Sequence, residues 1–142
     1  MTETEAQTGR TQPMQALEKI MLVEDDPDIR TVAVMALEMV GGLKVLACES
    51  GTKALEQIGA WAPQLVLLDV MMPGMNGPDV LAALRTRTDT ASIPVIFLTA
   101  KAQESEIQGL RDLGALDVIP KPFDPMTLTD AVRALWDRYQ AS

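Results

Sequence analysis

The chain has 142 residues, 47% hydrophobic and 23% charged, enough for one domain with its own core and too few for two of ordinary size. It has no histidine and a single cysteine, Cys48. This excludes Ser-His-Asp and Cys-His catalysis, His-ligated zinc or haem, a phosphohistidine on this chain and an internal disulfide. The net charge of -8 opposes binding to nucleic acid phosphates and anionic membranes, and no apolar run approaches the ~18 residues of a membrane span.

Residues 1–17 are polar and acidic and read as a disordered leader. They lack the basic start and apolar stretch of a secretory signal, so a cytoplasmic location is expected. The domain is expected over 18–142. KIMLV (19–23) is an apolar strand run that ends in Glu24-Asp25-Asp26. Asp26 and Pro27 then read as the cap and first position of a helix. Ile29, Val32, Ala33, Ala36, Leu37 and Val40 give that helix an inward face, and Gly41-Gly42 stops it. LKVLAC (43–48) is a second strand. Ser50-Gly51 opens a helix through Leu55 and Ile58 that closes near Trp61-Ala62-Pro63. QLVLLD (64–69) is a third strand and ends on an aspartate. MMPGMNG (71–77) is a turn, and Pro78 begins a helix to about Thr86 with Val80, Leu81 and Leu84 inward. Pro94 precedes the strand VIFL (95–98), which ends at Thr99. Ser105–Leu113 reads as a helix ended by Gly114, and LDVI (116–119) as a fifth strand before Pro120-Lys121-Pro122. The last helix is expected from Asp124-Pro125, with Leu128, Val132, Leu135 and Tyr139 on its apolar face.

Five strands and five helices alternate strictly. Strand runs without polar alternation indicate burial on both faces, as in a parallel sheet. The chain therefore reads as a doubly wound α/β domain of right-handed βαβ units. In such sheets the ligand site lies beyond the carboxyl ends of the strands. Those ends carry Glu24, Asp25 and Asp26, then Asp69, then Thr99, then Lys121. Converging carboxylates repel unless a cation sits among them, and oxygen ligands without His or Cys select Mg²⁺ or Mn²⁺. A lysine and a hydroxyl beside them suit a phosphoryl group, and one carboxylate would be the nucleophile. Each residue alone has an ordinary explanation: Asp26 fits a helix cap, Thr99 a strand end, Lys121 a solvated loop. The four strand ends together do not.

VEDDPDIR (23–30), LLDVMMPGMNG (67–77), FLTA (97–100) and IPKPF (119–123) resemble the receiver domain of bacterial response regulators, over about 120 of the 142 residues. The resemblance implies a flavodoxin-like (βα)5 fold with strand order 2-1-3-4-5. It makes Asp69 the phosphoacceptor, and Glu24 and Asp25 the acidic pair that binds Mg²⁺ with Asp69 and the backbone carbonyl of Met71. Thr99 and Lys121 contact the phosphoryl group, and the Lys121–Pro122 bond is expected to be cis. With no output domain read after the fifth helix, a stand-alone domain is expected, and not an enzyme in its own right. A histidine kinase or histidine phosphotransfer protein would phosphorylate it. It would signal to a downstream protein through the face of the fourth helix, fifth strand and fifth helix. Lys101, Glu104, Ile107, Val118 and Met126 are the candidates on that face, and a homodimer is left open. One departure stands out: Val118 occupies the position, three before the lysine, where receivers carry Tyr or Phe. Among rivals, a haloacid-dehalogenase-type phosphatase needs an aspartate where Met71 stands. A flavodoxin needs a Ser/Thr/Gly phosphate cradle that is missing after the first strand. A pseudo-receiver that binds without phosphorylation is the remaining alternative.

Overall fold

The computed structural model describes residues 15–142. Ten regular elements alternate: β1 (Lys19–Val23), α1 (Pro27–Met35), β2 (Lys44–Cys48), α2 (Gly51–Trp61), β3 (Leu65–Asp69), α3 (Gly77–Arg85), β4 (Val95–Thr99), α4 (Glu104–Asp112), β5 (Asp117–Pro120) and α5 (Leu128–Ala141). The strands form one parallel sheet in the order β2-β1-β3-β4-β5, as the resemblance implied. The unbroken apolar runs are explained by the two faces. Ile20, Leu22, Leu65, Leu67, Ile96 and Leu98 point into the layer under α1 and α5. Met21, Val23, Val66, Leu68, Val95 and Phe97 point into the layer under α2 and α3. Each such side chain contributes about 1.5–3 kcal/mol by leaving water.

Helix starts follow local chemistry. Asp26 caps α1 by accepting from the Asp28 and Ile29 N–H groups at 2.8 and 3.1 Å, with Pro27 at the first position. Asn76 and Asp79 form a reciprocal capping box at the start of α3. The last helix departs from expectation. Asp124 is used in a turn, its side chain accepting from Met126 N–H at 2.8 Å, and α5 begins only at Leu128. Trp136 is the buried aromatic of α5, while Leu135 and Tyr139 are half-buried.

The first helix also ends differently. Residues Ala36–Val40 form a π turn, in which the Gly41 N–H reaches back to the Ala36 carbonyl at 3.1 Å. The buried Thr129 hydroxyl of α5 donates to the same carbonyl at 3.2 Å. A Cβ on Gly41 would overlap that hydroxyl, so glycine is required there. The wider turn carries Val40 outward to 50% exposure, and Val32 is 41% exposed, so neither lies in the core as the spacing implied.

Of the expected leader, residues 1–14 lie outside the described residues, and 15–17 are docked on the domain. Leu17 is buried in the core. The Gln15 carbonyl accepts from Trp136 Nε1 at 2.8 Å, its N–H donates to Gln140 at 2.8 Å, and Arg133 donates to the Leu17 and Gly41 carbonyls. Gln64 adds a further stitch, accepting from the Glu18 and Lys19 N–H groups and donating to the Ala16 carbonyl. No helix among the described residues is long and apolar enough to cross a membrane.

Candidate functional site

Parallel pairing turns every strand's carboxyl end the same way, so the residues that follow β1, β3, β4 and β5 meet at one edge. The register sets Asp69 beside Leu98 and Thr99 beside Pro120. Lys121 follows directly, and its N–H donates to the Thr99 carbonyl at 2.8 Å. The Lys121–Pro122 peptide is cis, as expected. Glu24, Asp69 and Thr99 are buried, and Asp25 is half-buried.

Carboxylate oxygens of Glu24, Asp25 and Asp69 all lie within 4.8 Å of one another. Lys121 Nζ lies 2.9 Å from Asp69 Oδ1 and 3.2 Å from Glu24 Oε1, the lysine side chain being 14% exposed. Burial pushes the Glu24 carboxyl up to about 7, and the neighbouring Asp69 adds to the rise; the Asp26 N–H and the Lys121 ammonium hold it back. Burial alone would lower the Lys121 ammonium, but the Asp69 and Glu24 carboxylates outweigh it and hold it above the usual lysine range. The site is therefore a buried anionic cluster with one internal cation. Its donors are all oxygens, a set that fits a small hard cation.

Backbone geometry holds these groups in place. Glu24 Oε2 accepts from the Asp26 N–H at 3.2 Å. Arg30, to which sequence reasoning gave no role, donates from Nη1 to the Glu24 and Asp25 carbonyls at 2.9 and 3.2 Å. Only its place one helical turn after the acidic run hinted at this. An added Cβ on Gly77 would stand 2.6 Å from the Asp69 carbonyl oxygen and 2.9 Å from Phe97, so α3 can start beneath Asp69 only with glycine there. The Thr99 hydroxyl accepts from the Lys101 N–H at 3.0 Å. Met71, two residues past Asp69, leaves its side chain 63% exposed at the rim. Asp26 serves as the helix cap.

Two apolar cavities lie along α1, and the first adjoins the site. One of about 430 Å³ is lined by Ile29, Val32, Ala100, Lys121, Pro122 and Phe123, with Asp28 at its edge. The next, about 370 Å³, shares Val32 and is lined by Met35, Met39, Val40 and Met126 among others. Met126, expected on the face of α4, β5 and α5, lines this cavity against α1. On that face Lys101 and Glu104 are exposed, and Ile107 and Val118 are half-buried. Its main ion pairs were not anticipated: Asp117 is gripped by Arg111 at 2.9 Å and by Arg138 at 3.1 Å. Burial would raise the Asp117 carboxyl, but the Val118 N–H and the two guanidiniums hold it below the usual range.

The family model of the response regulator receiver domain matches residues 20–133. The chain is 40% identical over 120 residues to the phosphate regulon transcriptional regulatory protein PhoB of Pseudomonas aeruginosa, covering 84% of this chain and 52% of that protein. It is 42% identical over 123 residues to the transcriptional regulatory protein CpxR of Escherichia coli K12, covering 86% and 50%. It therefore spans about half the length of these curated relatives. Among solved structures it is similar to the chemotaxis protein CheY4 of Vibrio cholerae, with a TM-score of 0.77 and 27% identity over 84% of this chain and 99% of that one.

Proposed function

Because this chain belongs to the response regulator receiver domain family, whose members are phosphoacceptors of two-component systems, we propose that it accepts a phosphoryl group on Asp69. The observation that carries this is the Lys121 ammonium 2.9 Å from Asp69 within a buried cluster of three carboxylates. The donor is a phosphohistidine on a histidine kinase or histidine phosphotransfer protein, since this chain contains no histidine. Glu24, Asp25 and Asp69, with the Met71 backbone carbonyl, would hold Mg²⁺, and Mn²⁺ in its place. Bound there, the cation neutralises charge on the phosphoryl oxygens. Lys121 pairs with one of those oxygens and Thr99 donates its hydroxyl to another.

The donor protein has to approach across the rim of the site, and the apolar wall along α1 gives it surface to bury. The phosphorylated domain then alters its contacts through the face of α4, β5 and α5, with a downstream protein or with a second copy. The proposed setting is the cytoplasm, and no substrate is turned over apart from the domain's own phosphoryl group. The close pairing of Asp69 and Lys121 supports this reading over a binding module that works without phosphorylation.

The test is incubation with Mg²⁺ and acetyl phosphate, read by intact mass. The protein should gain one phosphoryl group, and Asp69→Asn should gain none. An Asn variant labelled to the wild-type extent refutes the assignment.

A further inference from the structure

Three carboxylates meet at the strand ends, and two of them are held through their own side chains. Asp69 pairs with Lys121 at 2.9 Å. Glu24 pairs with Lys121 at 3.2 Å and accepts from the Asp26 N–H at 3.2 Å. The Asp25 side chain has no hydrogen bond or ion pair among the described residues, yet its carboxylate comes within 4.8 Å of the other two. Its direction is therefore set by its backbone.

That backbone is gripped from one point. Arg30 Nη1 donates to the Glu24 carbonyl at 2.9 Å and to the Asp25 carbonyl at 3.2 Å. The first carbonyl lies in the peptide plane before the Asp25 Cα, the second in the plane after it. Each plane is rigid, and only the two torsions between them turn. A nitrogen bonded to both carbonyls fixes those torsions, and with them the Cα–Cβ bond that aims the carboxylate. The arginine is itself anchored in α1. Its backbone N–H donates to the Asp26 carbonyl at 2.9 Å, and Asp26 caps the same helix. Among the described residues no carboxylate lies within 4.0 Å of the guanidinium, so no ion pair draws it away from the carbonyls.

We infer that Arg30 is a positioning residue for the cation: by pinning both peptide planes that flank Asp25, it sets the affinity of the site for Mg²⁺ without touching the ion. The inference rests on the reading of Glu24, Asp25 and Asp69 as the Mg²⁺ ligands. A half-buried Asp25 with a free backbone would turn to water, away from the repulsion of Glu24 and Asp69. The clamp holds it in place before the ion arrives, so binding does not have to reorder the loop.

Calorimetric titration of Mg²⁺ into the intact chain tests this, with Arg30→Met and Arg30→Lys beside the wild type. Arg30→Met keeps an apolar stem and removes the donors. It should weaken Mg²⁺ binding about tenfold, the scale on which partners of metal ligands act. Labelling by acetyl phosphate at saturating Mg²⁺ should stay within about twofold of the wild type, because the loss lies in affinity and not in the transfer step. Arg30→Lys keeps the charge on a chain one bond shorter and should retain most of the affinity loss. It also decides the case if a thermal melt shows that Arg30→Met does not fold. A wild type that binds no Mg²⁺ refutes the ligand reading and this inference together. A wild type that binds Mg²⁺, with both variants unchanged, refutes this inference alone. Full recovery in Arg30→Lys overturns it by making charge the cause, and labelling that stays slow at saturating Mg²⁺ overturns it by placing Arg30 in the transfer step.

Discussion

The Lys121 ammonium stands 2.9 Å from the Asp69 carboxylate, across 52 residues of chain. It is also the only cation within 4.0 Å of Glu24 or Asp69 among the described residues. Lys121→Met therefore leaves two buried carboxylates facing each other with no partner charge. Breaking a buried pair by removing one member costs about 3 kcal/mol or more. Urea titration in EDTA should show a loss of that order. Adding Mg²⁺ should recover more stability in the variant than in the wild type; equal Mg²⁺ effects would contradict this role for the lysine.

Acidity should act on the same cluster with a definite sign. The Glu24 carboxyl is raised to about 7 in the folded chain, from about 4.5 unfolded. Between those values the folded state binds a proton that the unfolded state lacks. The stabilisation is full below about pH 4.5 and is lost as pH rises through about 7. The raised Lys121 lies in the alkaline range and contributes no slope in this window. Melting in EDTA should therefore show this contribution falling from pH 5 to pH 8. Glu24→Gln should flatten that part of the curve, and a Gln variant with the wild-type slope would contradict it.

Gly77→Ala places a methyl 2.6 Å from the Asp69 carbonyl and 3.0 Å from Val70 Cα, both backbone atoms that cannot step aside. Overpacking of this kind costs about 1–3 kcal/mol. The variant should lose stability by that amount and take phosphoryl from acetyl phosphate more slowly, because Asp69 itself is displaced. Thermal melts and the mass assay check both effects. Gly109→Ala on α4, where an added Cβ meets no atom within 4 Å, is the control that should leave phosphoryl uptake intact.

Thr129→Val keeps the packing against Gly41 but removes the hydroxyl that donates to the Ala36 carbonyl. That carbonyl keeps the Gly41 N–H, so the cost should be only about 1 kcal/mol. Amide shifts at 36–41 should move most, because the π turn loses its brace from α5. A shift pattern centred elsewhere would show that the hydroxyl does not brace the turn.

The strand ends were legible because a buried parallel strand needs an unbroken apolar run, and a charge such as Asp69 immediately after LVLL marks where the run leaves the core. Asp26-Pro27 was legible because capping chemistry is local. What escaped depended on neighbours distant in sequence. The spacing that reads as a continued helix through Val40 does not reveal that Thr129, 93 residues on from Ala36, donates to the Ala36 carbonyl in the π turn. Leu17 closes a largely polar stretch, and bonds from Trp136, Arg133 and Gln64, all distant in sequence, explain the docking of 15–17. The place of Met126 beside Val32 and Met35 was not legible, because the Asp124 turn ahead of α5 breaks the helical register there. Asp117 reads as a polar interruption of a weak strand until two arginines from different helices close on it.

The stitching of Gln15–Lys19 to α5 and to Gln64 has a practical consequence. It fixes residue 15 beside the C-terminal half of α5, at the edge where the strands begin. The acidic residues stand where the strands end, a strand length of about 16 Å away through the sheet. A fluorophore carried on residue 15 itself would have the sheet between it and the carboxylates. It would report on motions of α5 and its surroundings while leaving the path of a donor along α1 clear.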